Sequence, residues 1–205
     1  MLLTEQDWDN LAPWAFSSQN KGFNPAVQES PNGDNNWDNK KVYAHIAPKY
    51  GIENPTAAII YTRALIQAAK ACKYLKLPLP GPDSTLRILH YPVGASSHSH
   101  TDFDMFTLCL YRNDTSGFVY EEIEQDKVLT SARTLFPGIH FGELANLLTV
   151  GAALKSTKHR VQSLSTVQKS IVFFCMPELD TKIHKLNCTV LEWLNERKER
   201  SRRAQ

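Results

Sequence analysis

Residues 86–113 of this 205-residue chain read LRILHYPVGASSHSHTDFDMFTLCLYRN, and this stretch decides the fold class. Its segments 86–91 and 105–111 are rich in β-branched and aromatic residues and are bounded by turn-forming residues, which is typical of short strands. Further segments of the same character are 97–103, 117–123, 138–141, 156–162 and 169–176. So many short strands in succession predict an antiparallel sandwich or barrel.

The rest of the chain is predicted to be helical or irregular. Residues 55–75 begin with a proline and carry apolar side chains at three-to-four-residue spacing, which predicts a helix. Thr4 is expected to cap a short helix near the N-terminus, and residues 189–203 also have a helical pattern. Residues 22–39, GFNPAVQESPNGDNNWDN, are expected to form an ordered loop or a lid on the cofactor side.

Composition and charge exclude several classes of protein. The chain is 42% hydrophobic and 21% charged, which is enough for a core and excludes global disorder. No apolar run approaches the roughly 20 residues of a membrane-spanning helix, and the N-terminus lacks the pattern of a secretory signal. Lys and Arg total 23 against 21 Asp and Glu, so the formal charge of +2 does not point to nucleic acid. We expect neither a nucleic acid nor a membrane as a partner.

The cysteines indicate a reducing compartment. The four residues, at positions 72, 109, 175 and 188, form neither a C-x-x-C pair nor a zinc-ligand spacing. Most of them fall in apolar helix-like or strand-like segments, where free thiols are commonly buried. We therefore expect free cysteines and a cytoplasmic protein.

Three residues of the strand-rich region form a candidate metal site: His100, Asp102 and His159. Side chains at i and i+2 of a strand point to the same face, so His100 and Asp102 are expected to project together. His159 lies on a separate strand-like segment, after enough chain to cross a barrel and return. Two imidazoles and one carboxylate leave coordination positions open, as in non-haem Fe(II) oxygenases. The pattern alone is common by chance, and a structural role for each histidine stays open.

Short motifs follow one another around these residues in a specific order. They are His90-Tyr91-Pro92, His100-Thr101-Asp102, Thr107-Leu108, Gly142-Glu143, Lys155-Ser156-Thr157, His159-Arg160-Val161, Ser170 and Phe173-Phe174. The series resembles the isopenicillin N synthase-like branch of the Fe(II)/2-oxoglutarate-dependent oxygenases. With GFNPAVQES near the N-terminus, the resemblance extends over roughly the whole chain, although the chain is short for that branch.

The resemblance implies a mainly β fold. Its core would be a double-stranded β-helix, also called a jelly roll, with α-helices packed on its outside. We expect an N-terminal loop and helical segment over residues 1–83, the oxygenase core over 84–180 and a C-terminal helix over 181–205.

The resemblance also implies a set of site residues. By it, His100, Asp102 and His159 bind Fe(II), while Tyr91 and Ser170 help to anchor 2-oxoglutarate as the cosubstrate. A small-molecule substrate and O2 would complete the reaction.

One position departs from the family pattern. The R-x-S motif, which in that family holds the distal carboxylate of the cosubstrate, is Gln168-Lys169-Ser170 in this chain. A neutral glutamine is expected to weaken carboxylate binding by about 1.5–3 kcal/mol. Three explanations are open: another cation replaces the arginine, the cosubstrate is not 2-oxoglutarate, or the protein is weakly active or idle.

Arg87 is the candidate for a replacement cation. It lies on the same predicted strand face as Tyr91, so its guanidinium could reach a carboxylate in the site. The alternative is an arginine at a strand start with its charged group in solvent, which is the commoner situation.

The sequence therefore predicts a mononuclear Fe(II)- and 2-oxoglutarate-dependent oxygenase that oxidises a C–H bond of a small molecule, by hydroxylation, desaturation or cyclisation. Two alternatives are a same-fold Fe(II) oxidase that needs no 2-oxoglutarate and a catalytically idle metal-binding module. The sequence indicates neither the substrate nor the oligomeric state.

Overall fold

Antiparallel strands and a few helices make up the described part of the chain. The computed structural model describes residues 3–24, 38–39, 42–114, 117–121, 138–149, 154–162 and 165–203. Its strands are β1 Asp38–Asn39, β2 Val42–Ile46, β3 Thr85–Tyr91, β4 Ser96–His100, β5 Phe106–Arg112, β6 Phe118–Tyr120, β7 Ile139–Phe141, β8 His159–Val161, β9 Gln168–Cys175, β10 Lys182–Ile183 and β11 Cys188–Thr189. Its helices are α1 Glu5–Ala15, α2 Pro55–Leu75, α3 Glu143–Leu148 and α4 Val190–Arg203, with a 3₁₀ turn at Pro48–Tyr50.

Two sheets face each other across a cavity. The larger sheet has the strand order β2-β3-β9-β5-β7 and the smaller one β1-β4-β8-β6, and neighbouring strands are antiparallel. Leu89 and Val172 on the larger sheet pack in one hydrophobic cluster with Val161 on the smaller. This arrangement is a jelly roll, and it confirms the prediction of a mainly β fold.

The outer face of the larger sheet is covered by α1 and α2. Ile88, Ile171 and Phe173 are fully buried there, in one cluster with Leu11 of α1 and with the alanine-rich face of α2. The ring of Tyr61 on α2 meets the ring of Phe173 edge-on, with the centroids 5.6 Å apart. Burial of each such large side chain contributes about 1.5–3 kcal/mol, and the small alanines let the helix approach the sheet closely.

The helix predictions are confirmed. Thr4 caps α1 through a capping box with Asp7, in which each side chain bonds the other residue's backbone N–H. Helix α2 has the predicted limits, and the side chain of Asn54 accepts a hydrogen bond from the N–H of Ala57 at its start. The C-terminal pattern forms α4.

The strand predictions are confirmed with differences at their ends. Each of the seven predicted segments contains a strand, but β4 ends at His100, so Asp102 lies in the following loop. The prediction missed β2, which extends the larger sheet beside β3, and the small β10–β11 pair. The predicted loop or lid at 22–39 lies mostly outside the described residues. The division into segments at residues 83 and 180 stays a prediction, and β2 falls within the first of those segments.

The cysteines are free, as expected. Cys72 and Cys175 are buried with their Sγ atoms 3.8 Å apart, whereas Cys109 and Cys188 are only partly buried. Among the described residues, none of the helices combines the length and the apolar character that crossing a bilayer requires.

A tight contact beside β7 generates a prediction on stability. A Cβ added to Gly142 would lie 2.2 Å from both the backbone oxygen and Oδ1 of Asp104. Gly142→Ala is therefore expected to lower the free energy of unfolding by about 3 kcal/mol or more, the upper end of overpacking costs. In Gly51→Ala, the added Cβ has no heavy atom within 4 Å. Because the backbone at Gly51 is left-handed, with φ of 74°, this substitution is expected to lower the free energy of unfolding by about 1 kcal/mol. Denaturant unfolding of both variants measures the difference, and equal losses would contradict the packing account.

Candidate metal centre

Three side chains in the cavity bring possible metal ligands together. His100, Asp102 and His159 each offer one ligand atom, and these atoms lie within 4.8 Å of one another. Nε2 of His100 is 3.7 Å from Oδ1 of Asp102, and Nε2 of His159 is 3.9 Å from Oδ2 of the same carboxylate. The structure therefore brings together the three residues that the sequence singled out as metal ligands.

The two histidines are neighbours across an antiparallel strand pair. His100 ends β4, His159 begins β8, and the two are direct partners in the register. A β-bulge between Ser97 and His100 shifts the register, so that both of these residues face the cavity. The expectation that strand alternation orients Asp102 is wrong, because β4 ends before it. A loop carries Asp102 to the site instead.

Nδ1 of each imidazole ring is held by a backbone oxygen, which turns Nε2 toward Asp102. Nδ1 of His100 lies 2.8 Å from the backbone oxygen of His98, and Nδ1 of His159 lies 3.1 Å from that of Thr157. Because a carbonyl oxygen only accepts, each Nδ1 carries the hydrogen and each Nε2 presents its lone pair. Burial and the nearby His140 also lower the pKa of His159, which favours the neutral ring that a metal requires.

Two neighbours hold Asp102 as a carboxylate. The hydroxyl of Thr107 donates to Oδ2 at 2.7 Å, and Nε2 of His140 donates to the same oxygen at 3.0 Å. Burial raises the pKa of Asp102. The hydrogen bond and attraction of His140, the attraction of His159 and the hydrogen bond of Thr107 outweigh burial, so the pKa lies well below its ordinary value.

A second carboxyl group, that of Asp104, lies behind Asp102. Its Oδ2 is 2.9 Å from the hydroxyl oxygen of Thr107. Burial and the charge of Asp102 raise the pKa of Asp104 well above its ordinary value, which favours the protonated form. The hydroxyl of Thr107 lies within hydrogen-bond distance of both carboxyl groups, and its single hydrogen can be donated to only one of them at a time.

The loop that carries Asp102 is held by Glu143 at the start of α3. The N–H of Glu143 donates to the backbone oxygen of Asp102 at 2.8 Å. The hydroxyl of Thr101 donates to the carboxylate of Glu143 at 2.7 Å. Arg197 of α4 binds that carboxylate with two nitrogens. The C-terminal helix thereby supports the loop of Asp102.

The cavity beside the three ligands is partly open to solvent. It is lined by all four residues that the sequence predicted for the cosubstrate: Arg87, Tyr91, Gln168 and Ser170. Tyr91 is paired with Gln168 across β3 and β9, and Gln168 and Ser170 are almost completely buried. The structure therefore brings these four residues to one cavity together with the candidate ligands.

Comparison with known proteins gives a family match over part of the chain. Residues 80–177 match the model of the 2OG-Fe(II) oxygenase superfamily. The chain is 30% identical over 118 residues to a 2-oxoglutarate-dependent dioxygenase of Didymella fabae, covering 52% of this chain and 35% of that protein. These matches support the assignment of residues 80–177 to the 2OG-Fe(II) oxygenase superfamily. The chain spans about a third of the length of that curated relative.

Solved structures confirm the predicted fold. A candidate oxygenase from Shewanella oneidensis is similar with a TM-score of 0.67 at 18% identity, over 96% of this chain and 85% of the other. A Neurospora crassa protein, solved in complex with alpha-KG and 5-formyluracil, is similar with a TM-score of 0.55 at 16% identity, over 87% and 71% of the two chains. The double-stranded β-helix expected from the sequence is therefore confirmed.

Two residues of this site were not among those predicted from the sequence. His140 on β7 bonds Asp102 directly, and its only signal was a histidine placed just before the Gly142-Glu143 turn. Arg112 at the end of β5 also lines the cavity. Strand alternation from Thr107 predicts the opposite face for Arg112, so no simple pattern could have found it.

Thr107 generates a prediction on the hydrogen bonds of the site. Thr107→Val keeps the shape of the side chain but removes the hydroxyl between the two carboxyl groups, which leaves buried oxygens without a partner. We expect the free energy of unfolding of the metal-free protein to fall by about 1–3 kcal/mol. Thr62→Val, which removes an exposed hydroxyl bonded to Ala58 on α2, is the matched control and is expected to have little effect. Equal effects of the two substitutions would contradict the arrangement.

Proposed function

We propose that the chain is a non-haem Fe(II)- and 2-oxoglutarate-dependent oxygenase that oxidises a C–H bond of a small-molecule substrate. The observation that carries the proposal is the orientation of three ligands toward one point. Nε2 of His100 and of His159 presents a lone pair beside the ionised carboxylate of Asp102. Two histidines and one carboxylate, with further positions open, are the ligand set of non-haem Fe(II) oxygenases.

The donor atoms fit a divalent iron ion. Neutral imidazole and carboxylate are ligands that Fe(II) accepts, and the lowered pKa values of His159 and Asp102 favour those forms. Bound there with 2-oxoglutarate, Fe(II) supplies the activation of O2 that couples decarboxylation of the keto acid to oxidation of a substrate. The contribution of His140 and Thr107 is to orient the carboxylate of Asp102 and keep it charged.

The remaining cavity residues bind and shield the reactants in this proposal. Tyr91 and Ser170 provide hydroxyl groups for the cosubstrate, and Gln168 is the cross-strand partner of Tyr91 on β9. Leu89, Val172 and Val161 line the cavity with apolar surface, which excludes water from the reaction.

The relatives support this choice of cosubstrate. The Didymella fabae protein is named as a 2-oxoglutarate-dependent dioxygenase, and the Neurospora crassa protein was solved with alpha-KG. A further structure of this fold, JOX2, was solved with 2OG, Fe and JA; it has a TM-score of 0.53 at 17% identity, over 87% of this chain and 64% of the other. We do not carry the substrates of these proteins over to this chain.

One observation favours a second candidate, an oxidase that needs no 2-oxoglutarate. Gln168 is 1% exposed and uncharged at the position where the family places the arginine that holds the distal carboxylate. An idle metal-binding module is the third candidate. Cytoplasmic location stays a prediction from the free cysteines.

Succinate formation separates the three candidates. Purified protein is loaded with Fe(II) anaerobically, and O2 uptake and succinate are measured with and without 2-oxoglutarate. We expect about one Fe(II) per chain and slow succinate production that requires both O2 and 2-oxoglutarate. His159→Gln is expected to lose the metal and the activity, because a ligand is removed, whereas His184→Gln, at an exposed position, is expected to retain both.

The other outcomes contradict the proposal in distinct ways. O2 uptake that depends on Fe(II) and a small-molecule substrate, without succinate, would favour the oxidase. Full metal binding with neither O2 uptake nor succinate would favour the idle module. Full metal occupancy in His159→Gln would contradict the ligand assignment itself.

A further inference from the structure

Arg112 reaches the cavity because β5 contains a bulge. Thr107 and Cys109 are paired with Phe174 and Val172 of β9 in a regular register. After Cys109 the register shifts by one residue, and Arg112 is paired with Ser170. An extra residue in one strand turns the following side chains to the other face, so Arg112 points into the cavity while Tyr111 packs in the outer core.

The position of Arg112 places its charge beside the predicted cosubstrate anchor. Its partner across the strands is Ser170, which also neighbours Leu89 of β3. Gln168, the residue in place of the family's arginine, lies two residues away on the same face of β9. Arg112 therefore flanks the site from β5, whereas the missing arginine would have come from β9.

The guanidinium of Arg112 is oriented by an aromatic ring. It lies 4.0 Å from the centroid of the Phe118 ring, which itself stacks on His159 at 5.2 Å between centroids. Its Nε is buried without a hydrogen-bond partner, and no carboxylate of the described residues forms a salt bridge with it. A guanidinium that packs over a ring can still donate from its N–H groups, which suits two-point binding of a carboxylate.

Arg87, the cation that the sequence suggested, is placed differently. It is paired with Val172, two residues beyond Ser170 on β9, and its guanidinium lies over the rings of Phe174 and Tyr43 at 4.3 and 5.0 Å. Nε of Arg87, like that of Arg112, is buried without a hydrogen-bond partner. The two arginines therefore differ in their position along β9 and not in the state of Nε. Both line the cavity, but only Arg112 is the direct neighbour of Ser170.

We propose that Arg112 binds the distal carboxylate of 2-oxoglutarate, together with Ser170, and so replaces the arginine that Gln168 lacks. The inference rests on the proposed function and changes one part of it, the residue that recognises the cosubstrate. Gln168, which is buried on the same face of β9, offers its side-chain NH2 group as a donor to the same carboxylate.

Two keto acids test the assignment. 2-Oxoglutarate and 2-oxobutanoate share the keto acid group, but only 2-oxoglutarate has the distal carboxylate. Binding of each to anaerobic Fe(II)-loaded protein is measured by calorimetry, which needs no turnover. We expect wild type to prefer 2-oxoglutarate by about 10–100-fold, the value of a charge-assisted hydrogen bond. Arg112→Gln is expected to lose most of this preference and to bind 2-oxobutanoate as wild type does.

Three further variants make the result specific to Arg112. Arg87→Gln and Arg63→Gln, the latter on the exposed face of α2, are expected to keep the preference. Arg112→Lys is expected to keep part of it, since the charge remains but the two-point geometry is lost. This variant also serves as the test if Arg112→Gln does not fold, which thermal unfolding reports.

The possible outcomes distinguish this inference from the proposed function. A preference that survives in Arg112→Gln, or that is lost in Arg87→Gln instead, overturns the role of Arg112 and leaves the oxygenase proposal standing. Equal binding of the two keto acids by wild type also overturns it, because the distal carboxylate is then not recognised. Failure of wild type to bind either acid contradicts the proposed function and this inference with it.

Discussion

The buried carboxylate of Asp102 is the interaction on which the rest of the site depends. An anion between two sheets is unfavourable unless hydrogen bonds and nearby positive potential compensate it. Thr107 and His140 supply those hydrogen bonds, and Asp104, whose pKa is raised by burial and by the charge of Asp102, lies on the other side of Thr107. Because these partners use Oδ2 of Asp102, the orientation of the carboxylate toward the two imidazoles is set before a metal binds.

The cavity is electrically asymmetric, and this asymmetry suits the proposed reactants. The ionised Asp102 lies among the metal ligands, where a divalent cation would be attracted. Arg87 and Arg112 line the same cavity, where an anionic group would be attracted. A metal ion chelated by a dicarboxylic keto acid matches this charge distribution, with the cation beside Asp102 and the distal carboxylate beside the arginines. A neutral glutamine at position 168 is compatible with this pattern because Arg112 restores the charge from the neighbouring strand.

The framework was predictable from the sequence because periodicity and turn residues report local structure. The limits of α2 and a strand in each of seven segments were predicted correctly, and the three candidate ligands lie close together in the structure. The orientation of Arg112 and the reason that His100 faces the cavity were not predictable, since each depends on a β-bulge that simple alternation does not reveal. His140 was missed for a different reason: its role depends on a contact with Asp102, 38 residues earlier in the chain.

The most direct test is a crystal structure of the anaerobic protein with Fe(II) and 2-oxoglutarate, with the metal located by anomalous scattering at the iron edge. The account predicts one iron bound by Nε2 of His100, Nε2 of His159 and an oxygen of Asp102. It also predicts the distal carboxylate of 2-oxoglutarate within hydrogen-bond distance of Arg112. An iron peak elsewhere, or binding of either histidine through Nδ1, would contradict the account at its centre.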